Sequence, residues 1–311
     1  MATTASDDIG GKTAVFEMAR PQLMGLAYRM LGSLADAEDA VQDTFVKWQS
    51  VDVSKLRNAE AWLTTVCTNR CLDLLKAASR NRLNYVGPWI PEPLQTETLA
   101  SPEDDLDRAQ SLTTAFLLLL DRLSPKERAA FLLREVFGKP YKEVADTLTL
   151  SEASCRQLVS RAARSVREEK SRFRPSADQQ AAFLAAFQLA LETGRSDQLA
   201  QLLAENVSLS ADSGGKVVTI SRVLQGPREV SGFVVKALRR YWGPIRLVQR
   251  EVNGLFGLVA VADDGVHAVM TLGYNEDGTV GQIYIVRNPD KLARLDFRFR
   301  HQASDGSLTP D

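Results

Sequence analysis

From residue 20 to about residue 84, apolar positions recur at three- and four-residue spacing with few breakers, which predicts a helical block. Residues 85–107 interrupt it. Pro88, Pro91, Pro93 and Pro102 fall among Glu92, Glu97, Glu103, Asp104, Asp105 and Asp107, with no Lys or Arg, so this stretch reads as a linker. Helical spacing resumes from 108 to about 174, where Pro175 ends it. The period then changes: helices are expected near 179–193 and 197–205, followed by β-rich runs at 217–223, 247–252, 255–262, 267–274 and 282–286. Asp263-Asp264-Gly265 and Asn275-Glu276-Asp277-Gly278 separate the last three as hairpin turns should. The pattern predicts two all-α blocks and a C-terminal α+β domain.

The second helical block carries the sharpest local signal. Ser124-Pro125-Lys126-Glu127 is a capping box with proline at the first helical position, opening a helix through Phe131, Leu132 and Val136 to Gly138. A short helix, 141–148, follows Pro140. After Thr149-Leu150, Ser151 caps a longer helix from Glu152 to Arg167. Short helix, tight turn and long helix make a helix-turn-helix. Cys155, Leu158 or Val159, Ala162 and Val166 repeat at core spacing, while Gln157, Arg161, Arg164 and Arg167 or Glu168 project from the other side. Residues 151–174 hold seven basic and three acidic residues, an excess that suits phosphate contact in a major groove.

The first block contains two further amphipathic helices. In the run Asp36 to Trp48, Ala37, Val41, Phe45 and Trp48 form the buried stripe, leaving Asp36, Asp39, Gln42 and Asp43 as an exposed acidic row that fits a basic protein partner. Downstream, Asn69, Asp73, Lys76 and Arg80 share one face while Leu63, Val66 and Leu74 point inward, and residues 57–82 hold five basic and two acidic residues.

Composition narrows the function. The 311 residues carry 38 Lys+Arg against 39 Asp+Glu, so no whole-chain positive field draws the protein to a polyanion and any such binding depends on local patches. The start, MATTASDD, has neither the basic nor the apolar part of a signal peptide, and the longest apolar runs are too short for a bilayer, so the expected location is cytoplasmic with no membrane contact. Cys67, Cys71 and Cys155 lack the pattern of a disulfide framework or zinc site and are read as buried packing. With two histidines, His267 and His301, no metal site, catalytic triad or cofactor is expected.

Taken together, these runs resemble the extracytoplasmic-function sigma factors of bacterial RNA polymerase. DAEDAVQDTFVKW resembles the polymerase-binding helix of sigma region two, AEAWLTTVCTNRCLDLLK its -10 recognition helix, and the stretch from Leu123 to Ala163 sigma region four. The likeness covers roughly residues 15–172 and divides the chain into region two (15–84), a linker (85–107) and region four (108–174). It implies that Asp36, Asp39, Gln42, Asp43 and Lys47 meet the β′ clamp helices of core polymerase and that region four meets the β flap. Lys55, Arg57, Asn58, Asn69, Lys76 and Arg80 would handle the -10 element, with a flipped base received in the loop 49–58. Ser154, Arg156, Gln157, Ser160, Arg161 and Arg164 would read the -35 element. Thr149 stands where the family often has glycine. A β-branched residue is costly at positive φ, so a reshaped turn is expected.

The remaining third resembles the sigma subgroup with a SnoaL-like extension, a cone-shaped α+β fold, here placed at 178–300 with a tail at 301–311. The likeness rests on Trp89-Ile90-Pro91-Glu92-Pro93-Leu94, Asp212-Ser213-Gly214-Gly215-Lys216 and Asn288-Pro289-Asp290-Lys291-Leu292. Ser213 stands where glycine is usual. The resemblance implies modulation of the sigma regions in cis, and the three motifs are expected to meet in one interface that joins Trp89, Pro91, Pro93, Asp212, Gly214, Gly215, Lys216, Asn288, Pro289 and Asp290. Trp89 and Leu94 are expected to supply its apolar part, and Lys216 to pair with Glu92 or Asp290. Two other readings compete: a cone that senses a small ligand or performs acid-base chemistry with Asp212, Asp263, His267 or Tyr274, fused to a DNA-binding module; and a stand-alone repressor. The repressor leaves the acidic helix and the basic -10 helix without a role.

Overall fold

The computed structural model describes residues 3–82, 85–96, 111–169, 175–242 and 245–295. Helix α1 (Thr3–Leu31) begins well before the expected position 20 and continues through Pro21. Gly32 turns the chain into α2 (Leu34–Ser50), whose first turn is capped by Ser33. A one-turn 3-10 segment (Val53–Lys55) leads to α3 (Ala59–Arg82). Region four comprises α4 (Thr114–Asp121), α5 (Pro125–Phe131, extended by a π turn at Leu132–Val136), α6 (Tyr141–Leu148) and α7 (Glu152–Glu169).

The helical halves share one apolar core. Trp48 and Leu63 from the first half cluster with Phe116, Leu120, Phe131 and Val144 from the second, all buried. Polar bonds close the same seam: Arg128 donates to the Met30 carbonyl at 2.6 Å, Arg29 to Ser111 Oγ at 2.8 Å, and the Thr65 and Thr147 hydroxyls meet at 2.9 Å.

The C-terminal domain opens with α8 (Ala177–Thr193), capped by a Ser176–Gln179 box, and α9 (Asp197–Leu202). The expected helix to 205 stops early because β1 (Leu203–Asp212) takes over, its alternating Val207, Leu209 and Ala211 pointing into the core. No strand forms at 217–223. The Gly214-Gly215 turn redirects the chain there, and the edge of β1 is paired only by β2 (Leu224–Gln225). Helix α10 (Pro227–Phe233), a π turn (Val234–Leu238) and α11 (Arg239–Trp242) follow, in a stretch where the hydrophobic pattern predicts no element. Strands β3 (Arg246–Val252), β4 (Leu255–Ala262), β5 (Gly265–Tyr274) and β6 (Val280–Val286) complete a sheet of order β2-β1-β6-β5-β4-β3, with β1 parallel to β6. Helix α12 (Pro289–Leu292) ends the described chain.

This is the α+β cone that the resemblance implied. Its sheet packs Leu258, Met270, Leu272 and Ile283 against Phe183, Phe187 and Trp242 of the helices. On another face Val259, Val269 and Val286 cluster with Leu292 and with Ile90 of the linker. No helix among the described residues is long and apolar enough to cross a membrane, and no group of three His, Cys, Asp or Glu among them could hold a metal.

Candidate polymerase, promoter and interdomain interfaces

On α2, Ala37, Ala40, Val41, Thr44 and Trp48 are buried, which turns Asp36, Asp39, Gln42 and Lys47 outward. Asp43 is engaged differently, pairing with Arg70 of α3 at 2.6 Å, so it ties two helices together. Glu38, on the same helix, pairs with Arg294 from the C-terminal domain. Sequence spacing could not reveal that pair, because 256 residues separate its members.

The residues assigned to the -10 element lie on or before α3. Asn58 Oδ1 accepts from the Ala61 N–H at 3.1 Å and so starts the helix. Arg57, Asn69 and Lys76 are exposed, Lys76 pairs with Asp73 at 3.1 Å, and Lys55 pairs with Asp52 at 3.1 Å. The Arg80 side chain lies outside the described residues.

In the helix-turn-helix, Thr149 keeps the left-handed conformation, φ 55 and ψ 55, so the expected reshaping does not occur. The Leu150 N–H donates to the Ala145 carbonyl at 2.9 Å and the Thr149 N–H to the Asp146 carbonyl at 3.3 Å; these capping bonds hold a residue that would otherwise avoid positive φ. Cys155, Val159, Ala162 and Val166 are buried, and Ser154, Arg156, Gln157, Ser160, Arg161 and Arg164 are all exposed. Arg156 is oriented in advance: it stacks on the Tyr141 ring at 4.2 Å and pairs with Glu152 at 3.4 Å. Arg161 lies 3.8 Å from Glu127.

The linker is not a spacer over its described part. Residues 85–96 form a strap bonded on both sides. Towards region two, the Trp89 ring lies on Gly32, so close that a Cβ there would sit 2.5 Å from it, and Gly32 holds φ +67. The Glu92 N–H donates to the Gly32 carbonyl at 2.8 Å, and Glu92 Oε2 accepts from the Leu34 N–H at 2.7 Å, at the start of α2. This residue is 4% exposed, and burial raises the pKa of its carboxyl above the ordinary value. Leu94 packs against the helical core.

Towards the C-terminal domain, Asp212 is fully buried at the end of β1. Its carboxylate accepts from Tyr85 Oη (2.5 Å), the Ile90 N–H (2.9 Å), the Gly214 N–H (3.0 Å) and Lys291 Nζ (2.7 Å). The Lys291 ammonium also donates to the Ile90 carbonyl and lies 4.5 Å from the Trp89 ring centre. Gly214, at φ +57, leaves room for Asn288, whose Nδ2 donates to Tyr85 Oη at 3.1 Å. Pro91 and Pro93 are buried, Pro289 opens α12, and Lys216 pairs with Asp290, the second of its two expected partners.

Several contributors escape sequence reasoning. Asn253, in the β3–β4 turn at φ 54, bonds the Leu94 N–H, Tyr28 Oη and the Leu112 carbonyl, joining the strap to both helical halves. Thr96 bonds Glu251, and Gln95 pairs with Val252 beside β3. The Asn253-Gly254 pair is a turn signal that could have been read. Tyr85 carries no signal beyond its place next to a motif, and Lys291, although inside the motif from Asn288 to Leu292, has no role that spacing alone assigns. The linker acids Glu97, Glu103, Asp104, Asp105 and Asp107, and the tail 301–311, lie outside the described residues.

The residues considered for acid-base chemistry do not converge. Asp212 is saturated in the interface, and Asp263 is exposed at a hairpin turn. His267 pairs with Asp264 at 2.6 Å. Tyr274 lies seven residues further along β5, about 23 Å away at about 3.3 Å per residue. For a small ligand, the domain offers an open pocket of about 350 Å³ with Leu191, Trp242 and Leu247 on its wall and Gln188, Glu192 and Arg239 among its polar groups.

Sequence comparison agrees with this anatomy. Sigma-70 region 2 matches residues 15–81 and Sigma-70 region 4 matches residues 113–166. The chain is 34% identical over 304 residues to the ECF RNA polymerase sigma factor SigJ of Mycobacterium tuberculosis, covering 94% of this chain and 96% of that one. It is 29% identical over 287 residues to the probable ECF sigma factor SigI of the same species, covering 91% and 95%. The crystal structure of M. tuberculosis SigJ superposes with a TM-score of 0.71 at 31% identity, covering 90% of this chain and 98% of that one, the C-terminal domain included. The acidic α2, the helix-turn-helix and this full-length match lead to one conclusion: the chain belongs to the extracytoplasmic-function sigma factors, which bind core RNA polymerase and direct it to promoter DNA to initiate transcription.

Proposed function

We propose that this sigma factor is controlled in cis, with the C-terminal domain acting through the strap to fix the relation of regions two and four. The observation that carries the reading is the double attachment of residues 85–96, to the α1–α2 turn on one side and to Asp212, Asn253 and Lys291 on the other. Regions two and four meanwhile share one core. Elements named -10 and -35 lie about 25 base pairs apart, roughly 85 Å of duplex at about 3.4 Å per pair. Helices packed side by side cannot reach both, so the shared core has to open. The C-terminal domain therefore works by position rather than by catalysis, in the cytoplasm where polymerase and promoters are found.

Within this reading, Asp36, Asp39, Gln42 and Lys47 dock on the β′ clamp helices, and region four meets the β flap. Arg57, Asn69 and Lys76 meet the -10 strand, and Arg156, Gln157 and Arg161 read the -35 groove. Because Asp43 holds Arg70, the polymerase contact is tested most cleanly at the two acids with no such tie. Asp36→Lys with Asp39→Lys should leave the fold intact and greatly weaken capture by core polymerase; retained affinity would remove the assignment. Control in cis is tested by in vitro transcription with core enzyme, comparing the full chain with Trp89→Ala. Equal output at every concentration of sigma would refute it.

A further inference from the structure

We infer that the C-terminal domain carries a face of its own for the phosphate backbone of promoter DNA, centred on the helix that runs through α10 and α11. From Gly214 to Arg250 the sequence holds eight basic residues and a single acid, Glu229, in a chain whose total is 38 basic against 39 acidic. The stretch is therefore an island of positive charge on an otherwise acidic protein, and background composition does not account for it.

The structure separates the members of this island. Lys216 pairs with Asp290, Arg222 with Glu229, and Arg239 donates to the carbonyls of Leu191 and Glu192, so these three are committed to the fold. Arg228, Lys236 and Arg240 are exposed, and none of them forms an ion pair among the described residues. Lys236 and Arg240 stand one turn apart, an arrangement of like charges that destabilises an isolated helix. Arg228 to Arg240 covers roughly 18 Å of helix axis at about 1.5 Å per residue, the axial length of about five base pairs at about 3.4 Å each. A run of fixed cations with no internal counter-charge gains most from an external polyanion, which neutralises the repulsion and releases condensed counterions.

One neighbour gives the face a nucleic-acid character. Tyr241, at the end of the same helix, is 54% exposed, an unusual outlay for an aromatic ring unless it meets a sugar or a base. Arg287 donates to the Val218 carbonyl, which ties the loop after β1, with its exposed Lys216, to the end of β6. A lipid surface is a poorer match, since Tyr241 and Val218 do not make an apolar stripe. The contact is sequence-independent, adding affinity and orientation to base reading by region four.

The test uses the full chain with core polymerase and measures binding to a promoter fragment over a series of salt concentrations. Arg228→Gln, Lys236→Gln and Arg240→Gln combined should weaken binding equally on promoter and scrambled duplex. The slope of log K against log salt should shrink by about 0.9 for each phosphate left without its cation, so by about 2 to 3 for the triple variant and by about 0.9 for Lys236→Gln alone. Arg228→Lys with Arg240→Lys keeps the charge and should behave as the parent. An unchanged slope in the triple variant overturns the proposal. So does a loss confined to the affinity for core polymerase, which would assign the face to an acidic protein surface instead.

Discussion

The outer face of α7 and the strap at 85–96 are both rich in polar groups, yet the fold treats them in opposite ways. On α7, Ser154, Gln157, Ser160 and Arg164 are exposed, and the bonds that do form, such as Arg156 with Tyr141, orient a side chain without covering it. In the strap interface the Asp212 carboxylate accepts four hydrogen bonds at full burial and Asn253 joins three chain segments. A surface meant for an external partner keeps its hydrogen-bonding capacity open to solvent. An internal joint uses that capacity up, because an unsatisfied buried polar group is costly. Saturation thus separates the residues proposed to recognise from the residues that hold.

Asp212→Ala gives the strongest challenge to this contrast. It leaves the Lys291 ammonium and the Ile90 N–H buried without their carboxylate, and should lower unfolding stability by about 3 to 5 kcal/mol. Amide exchange over 85–96 should rise in the same variant; a strap that stays protected would mean that the joint rests on packing alone. Gly32→Ala comes next. It places a Cβ against Trp89 at positive φ, for a loss of about 1 to 3 kcal/mol, measured by denaturant unfolding, with the affinity for a -35 duplex unchanged.

The third expectation concerns pH. Burial raises the pKa of Glu92 in the folded state, so the fold binds the proton more tightly than the unfolded chain does. Its contribution is greatest below the unfolded value and declines as pH rises through the raised folded value. Glu92→Gln should remove this component, so the stability difference between parent and variant should shift towards the variant as pH rises from about 4 to about 7; a difference constant over that range would contradict it. The smallest effect belongs to Lys216→Ala. Its pair with Asp290 is exposed, with side chains 51% and 66% accessible, and should be worth about 0 to 1 kcal/mol in thermal unfolding.

The helical half was legible because its signals are local. The Ser124 capping box, the stripe Ala37, Val41 and Trp48, and the 141–167 helix-turn-helix each lie within a few turns of chain. Thr149 shows the limit even there: its intrinsic cost at positive φ was readable, but the bond from Leu150 to Ala145 that offsets it was not. In the α+β half, β-branched Val217 to Ile220 suggested a strand that never finds a partner, while β1 hid behind the helical pattern leading into it. Glu92 read as a linker acid and a candidate partner of Lys216, whereas it is buried at the start of α2. What made it so, like the pairing of Tyr85 with an aspartate 127 residues away, depends on tertiary placement that periodicity cannot encode.

In the proposed control in cis, the strap would also work as a ruler. Between α3 and α4 the chain has 31 residues, 83–113, and a fully extended chain spans at most about 3.3 to 3.6 Å per residue, so this tether could reach roughly 105 Å. With 85–96 clamped down, only the 17 residues 97–113 remain for reach, roughly 60 Å on the same scale. The first length exceeds the roughly 85 Å between the two promoter elements and the second falls short of it. Under the proposed control in cis, engaging or releasing a dozen residues would select which spacings the two regions can straddle, so that docking of the linker would set promoter choice by arithmetic of contour length.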